Sequence, residues 1–222
     1  MPKLKPEEAE HRRREIIEAA RSCFLRNGFH QTTTDEICHE AAITPGGLYH
    51  YFDSKDDIIS AVVMDTARTR VGRVASVTDG AVDVRSAFRE MTAFFYRVIR
   101  DPDLDTRTRL DVEIWAETLH NDKLAAITRE GLALRRQWLE ALINRGREEG
   151  MYKPEVDPRG LANLLLVTMM AMRVSGLLWR DDFDIEEAME SLVLMHTGCL
   201  SHGTAVGLAE EGVPVDGGKR PG

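Results

Sequence analysis

Residues 42–55 read Ala-Ile-Thr-Pro-Gly-Gly-Leu-Tyr-His-Tyr-Phe-Asp-Ser-Lys and gather the side chains best suited to grip a partner. Thr44-Pro45 opens a short helix onto Gly46 and Gly47, and Tyr49-His50-Tyr51-Phe52 follows. A helix this short is unstable alone, so Ile43, Leu48 and Phe52 must lean on a neighbour. That leaves Thr44, Gly46, Gly47, Tyr49, His50 and Tyr51 free to meet something outside. Small residues at the front let a bulky partner approach the backbone. A recognition helix in a helix-turn-helix is built this way.

Other candidate chemistry is thinner. His196, Cys199 and His202 are spaced by three, but His202 drifts off the shared face and no acid or second cysteine completes a tetrahedral set. No metal and no cofactor are expected. The chain lacks G-x-S-x-G, a P-loop, G-x-G-x-x-G and H-E-x-x-H, so a catalytic role is not expected either. Met91, Phe94, Phe95, Trp115, Leu119, Trp138, Met169, Met170 and Met172 could supply the adaptable apolar surface of a ligand cavity, although core packing explains any single one of them better. Arg173 lies inside an apolar stretch, where an arginine is costly unless paired. It pairs with Asp111, Glu113 or Glu117, or it meets an anionic ligand.

The chain has 222 residues, 43% hydrophobic and 30% charged, ordinary for a soluble globular protein. Strand-like alternation is scarce, which predicts an all-α fold. Net charge is −8, yet residues 1–55 carry 8 Lys/Arg against 9 Asp/Glu, so the acidic burden sits in the remainder. Lys3, Lys5 and Arg12-Arg13-Arg14 add a basic cluster near the front. Nucleic-acid binding is therefore confined to one end of an acidic molecule. Three scattered cysteines, Cys23, Cys38 and Cys199, fit reduced thiols in a cytoplasm. The polar start carries no signal peptide, and the apolar run Leu161–Trp179 holds Asn163 and Arg173, which favours a buried helix over a membrane span.

The elements that position these residues are legible from caps and breaks. A first helix runs from Pro6 to Arg26 and stops at Asn27-Gly28. Thr33-Thr34-Asp35-Glu36 is a capping box that starts a second, and the Pro45 helix follows after a tight turn. Three helices in so short a span form a helix-turn-helix head. About six helices make the body: from Lys55 to Val77, from Asp83 to Arg100, from Leu104 to His120, from Asn121 to Glu149, from Asp157-Pro158 to Trp179, and from Asp184 to Gly203. The predicted division is a head at 1–54, a body at 55–203 and a disordered tail at 204–222. The 161–172 segment is apolar nearly all round, and Ile185, Met189, Leu192, Met195/His196 and Cys199 form a stripe. Together they predict a homodimer through the last two helices, packed as a four-helix bundle.

The stretch from Ile16 to Val63 resembles the DNA-binding domain of TetR-type transcriptional regulators. The likeness rests on Ile16-Ile17, Ala19-Ala20, Phe24, Gly28-Phe29, Thr33-Thr34, Ile37, Ala41, the Thr44-to-Phe52 segment and Ser54-Lys55. The resemblance implies a DNA surface made of Thr33, Thr34, Thr44, Pro45, Gly46, Gly47, Tyr49, His50, Tyr51 and Lys55. Thr44, Tyr49 and Tyr51 would hold phosphates, Gly46, Gly47 and His50 would face base edges, and Lys55 would meet a phosphate. Asp35 departs from relatives that carry a cation there. It either accepts from a cytosine amino group or serves the helix dipole, leaving part of the specificity to DNA shape. The resemblance also implies a repressor, released from a palindromic double-stranded operator by a small apolar or amphipathic effector bound in the body.

Overall fold

The computed structural model describes residues 6–200, with side chains described through residue 196; the predicted tail, His202 and the Cys199 thiol lie outside the described residues. Nine helices, α1 Pro6–Asn27, α2 Thr34–Glu40, α3 Pro45–Tyr49, α4 Lys55–Thr78, α5 Val84–Ile99, α6 Leu104–Thr118, α7 Asp122–Glu148, α8 Pro158–Leu178 and α9 Ile185–Leu200, account for the regular structure of those residues. The boundaries follow local chemistry. The Thr33 hydroxyl accepts from the Glu36 amide at 3.2 Å while Glu36 accepts from the Thr33 amide at 2.7 Å. Ser54, Asp83, Asn121 and Asp157 cap α4, α5, α7 and α8 with the side-chain half of that pattern, each accepting from the amide three residues on, and Pro158 opens α8 where its fixed φ suits a first turn.

The apolar faces assemble into three cores. The first joins α1, α2 and α3 through Ile16, Phe24, Ile37 and Leu48, and continues into α4, α6 and α7 through Ile58, Ile59, Val62, Leu110, Ile114 and Leu124. Packing therefore runs without a break across the boundary at residue 54. The second core joins α4, α5, α7 and α8, and the third joins α5, α6, α8 and α9. In the second, Tyr152 packs edge-on against Phe88 and lies 2.8 Å from His196 Nε2 through its hydroxyl.

Burial pushes the His196 imidazole down to about 4. A histidine whose folded value is depressed is protonated first in the unfolded chain. Its contribution is intact above about pH 6.5 and is lost as pH falls toward 4. Stability should drop by up to about 3 kcal/mol over that window. His196→Phe should flatten it, and denaturant titrations at several pH values would read the difference. An unchanged pH slope in the variant would overturn the assignment.

The α2–α3 turn carries strain. Ala42 has φ +49°, a left-handed conformation that alanine adopts only at a cost. Arg12 holds it there, donating to the Ala42 carbonyl at 3.0 Å. Ala42→Gly should raise stability by about 1 kcal/mol. A melting temperature below that of the parent would contradict this.

One expectation about the packing of the last two helices needs correction. The α9 stripe faces inward: Met189, Leu192 and His196 are buried, and Leu194 and Met195 are the exposed apolar residues. The reason is that α9 closes the third core over α5 and α8, which claims its apolar stripe. On α8, Leu161, Ala162 and Met172 turn inward while Leu164, Val167 and Leu178 are exposed. α8 is long and apolar enough to cross a membrane by composition, but it packs against α6, α7 and α9 and carries a paired arginine.

Candidate functional site

The head presents α3 at the surface. The Thr44 side chain accepts from the Gly47 amide at 3.2 Å, starting a helix of only 5 residues. Leu48 is fully buried, Phe52 is buried, and Ile43 packs beside them. Thr44, Pro45, Gly46, Tyr49 and His50 are exposed, Gly47 and Tyr51 half-buried. A Cβ added at Gly46 would meet nothing within 4 Å, so the protein itself does not demand glycine there. Tyr51 rests its ring on the first core and meets His50 edge-on, 5.2 Å between centroids.

Thr33, Lys55, Arg12 and Arg13 have partners within the molecule. Thr33 is engaged in the capping box, and its hydroxyl also donates to Glu36 at 3.1 Å. Thr34 begins α2 beside it. Asp35 sits in the first turn of α2, where a carboxylate suits the helix dipole. Lys55 donates to the His30 carbonyl at 3.3 Å and lies 4.5 Å over the Phe29 ring. Burial pushes its ammonium below the usual lysine range. The basic cluster is also partly turned inward: Arg12 pairs with Glu15, and Arg13 lies over Phe52 at 5.1 Å.

A contact that sequence reasoning did not assign ties head to body. Glu113 of α6 accepts from the Phe29 amide at 2.7 Å. It packs against Gly28, whose φ of +79° ends α1, and a Cβ there would lie 2.9 Å from a Glu113 oxygen. The conformation favours glycine, and a side chain there would also push the Glu113 carboxylate from its place.

A partly open cavity of about 630 Å³ lies between α4, α5, α6, α7, α8 and α9, with Glu18, Arg21 and Leu25 of α1 also lining it, within the range of small-molecule sites. Met91, Phe94, Phe95, Trp115, Trp138, Met169, Met170 and Arg173 line it. Leu119 does not. It is the C-cap of α6 and 78% exposed, because the helix ends before its apolar stripe comes round again. Met172 is buried in the third core instead.

Arg173 makes the expected ion pair. It meets Asp111 at 2.9 Å and donates to Thr108 at 3.1 Å. Arg70 meets the same Asp111 at 3.0 Å. Arg135 of α7 stands near all three; burial first, then the neighbouring cations Arg70 and Arg173, push it down to about 10 against the pull of Asp111. Sequence reading missed Arg70 and Arg135. The available signal was spacing: Arg135 falls four residues after Gly131 and three and four before Trp138 and Leu139, on the buried face of α7. Among the described residues no three His, Cys, Asp or Glu side chains could together hold a metal ion.

Comparison with known proteins places this arrangement. Residues 16–62 match the family model for bacterial regulatory proteins of the tetR family. The HTH-type transcriptional regulator UidR of Escherichia coli K12 is 27% identical over 159 residues, 72% of this chain and 78% of the relative. The Salmonella enterica GusR structure is 27% identical, covers 90% of this chain and 99% of its own, and superposes with a TM-score of 0.67. A TetR regulator from Haloarcula marismortui, 19% identical, shares the fold at a TM-score of 0.73 over 87% of this chain and 100% of its own. Alike in the head by its residues and across the body by its fold, this chain is a DNA-binding transcriptional regulator similar to those of the TetR family.

Proposed function

We propose that the chain is a cytoplasmic, homodimeric repressor that leaves a near-palindromic double-stranded operator when a small apolar or amphipathic molecule fills the body cavity. The observation that carries this reading is the pairing, on one chain, of an outward-facing α3 with a largely apolar cavity of about 630 Å³. α4 runs from the head into the wall of that cavity and transmits between them. Effector binding shifts the population toward a dimer whose heads no longer match the operator, which requires tighter binding to that state.

The head, 1–54, docks α3 in a major groove with Thr44, Pro45, Gly46, Gly47, Tyr49, His50 and Tyr51 against DNA, and with Thr33 and Thr34 near a phosphate. Lys55 reaches a phosphate only by leaving the His30 carbonyl. The body, 55–203, pairs through α8 and α9. Leu164, Val167, Leu178, Leu194 and Met195 are among the apolar residues exposed there in the described part, and a two-fold axis through them makes a four-helix bundle. Two-fold symmetry sets the half-sites about one helical turn apart.

The test is selection of bound sequences from random duplex DNA by the purified protein. A palindromic motif is expected, and no enrichment at low salt would overturn the reading. Gly46→Ala sharpens it. The variant should fold at least as stably as the parent, since alanine favours helix by about 1 kcal/mol. It should bind selected DNA at least tenfold more weakly, about 1.4 kcal/mol, because the added methyl meets the base edges. Equal binding would remove α3 from the interface.

A further inference from the structure

The cavity carries a charge imbalance opposite to that of the chain. Eight arginines and three carboxylates, Glu18, Asp83 and Asp111, line it, whereas the whole chain has a formal net charge of −8. Some of these arginines are answered locally: Arg21 by Glu18 and Asp65, and Arg107 by Asp101 and Asp103. The central group is not. Arg70 and Arg173 divide one carboxylate, Asp111. Arg135 stands beside them, and its one hydrogen bond among the described residues runs from Nε to the Gly131 carbonyl at 3.3 Å. Arg173 Nε and Thr128 Oγ1 are buried without a hydrogen-bond partner among the described residues. Thr128 also lines the cavity, seven residues before Arg135 and on the same face of α7.

A buried charge is costly unless it is paired. Three guanidinium groups around one carboxylate leave two positive charges without an internal answer, in a space whose wall is mostly apolar. Guanidinium groups present a planar fork of donors that matches an oxyanion.

We propose that the cavity takes an amphiphile with an oxyanion head, the head seated at Arg135 and Arg173 beside Asp111 and the apolar body lying against Phe94, Phe95, Trp138 and Met169. The proposal rests on the reading of this cavity as the effector site and names the chemical class of the effector.

The full-length protein would be titrated calorimetrically with decanoate, decyl phosphate, decanol and decyltrimethylammonium, and operator binding would be followed on the same samples. At least one of the two oxyanions should bind tenfold or more tightly than both the alcohol and the ammonium, the worth of a charge-assisted hydrogen bond. Arg135→Gln should erase that preference. It removes no ion pair, so its melting temperature should equal or exceed that of the parent. The proposal is overturned if the alcohol or the ammonium binds as tightly as the oxyanions, if none of the four binds, or if Arg135→Gln keeps the preference. Tight oxyanion binding with undiminished operator affinity would uphold the cavity chemistry and defeat the release mechanism. Release by decanol alone would uphold release and defeat the oxyanion head.

Discussion

Asp111→Asn should destabilise the chain by about 3 kcal/mol, the cost of withdrawing the counter-charge from a partly buried arginine cluster. The side chain keeps its shape, so the loss isolates charge. Arg173 and Asp111 are both largely buried, while Arg70 is a third exposed and can turn partly toward water; this places the effect at the low end of what a broken buried pair costs. For a chain of this size the melting temperature should fall by about 10 °C. Arg135→Gln in the same background should recover part of the loss, because it removes one of the mutually repelling cations. Thermal unfolding followed by circular dichroism checks both. An Asp111→Asn melt within a degree or two of the parent would show that Asp111 does not anchor the cluster.

Leu48→Ala should cost about 3 kcal/mol and should abolish operator binding more completely than any change on the exposed side of α3. Leu48 is the one fully buried side chain of a helix of 5 residues. Without it the helix has only the flanking Ile43, Tyr51 and Phe52 to hold it against the first core. If the whole cost falls on the docked conformation, operator affinity drops about a hundredfold. The same variant should bind a cavity ligand as the parent does, at temperatures where the body is folded. Fluorescence anisotropy with a selected operator, beside a chemical denaturation curve, reads both quantities. Parent-like affinity in the variant would mean that α3 is held by contacts other than those of the first core.

Much of this architecture was legible in the residues. Helix starts are local, and Thr33/Glu36, Ser54, Asp83, Asn121 and Asp157-Pro158 act within a few residues of themselves. The inward set around α3 was readable for the same reason, because Leu48 and Phe52 lie four apart. The cavity wall was readable as composition: methionines and aromatics on helices that must face inward. What could not be read depends on tertiary placement. The direction of the α9 stripe is decided by which neighbour reaches it first. Leu119 left the wall because α6 ends there. Lys55 and Arg12 look free in one dimension but find carbonyl oxygens at His30 and Ala42, residues 25 and 30 positions away. The arginine cluster draws on α4, α6, α7 and α8, and no local window holds more than one member of it. Its sequence trace, Arg135 among the buried positions of α7, is visible only once the inward face of that helix is known.

The first core bears on how such regulators can be recombined. Ile58, Ile59 and Val62 of α4, Leu110 and Ile114 of α6 and Leu124 of α7 are packed with the head residues as one body. A chimera cut at residue 54 would graft a foreign head onto half of its own interior. The inheritable module of DNA recognition is therefore discontinuous along the chain: residues 6–62, together with a patch of α6 and the start of α7 more than forty residues downstream. Exchange of operator specificity between relatives should succeed when those distant positions travel with the head. Substitution at Leu110, Ile114 or Leu124 should therefore disturb DNA binding from inside the head's own core.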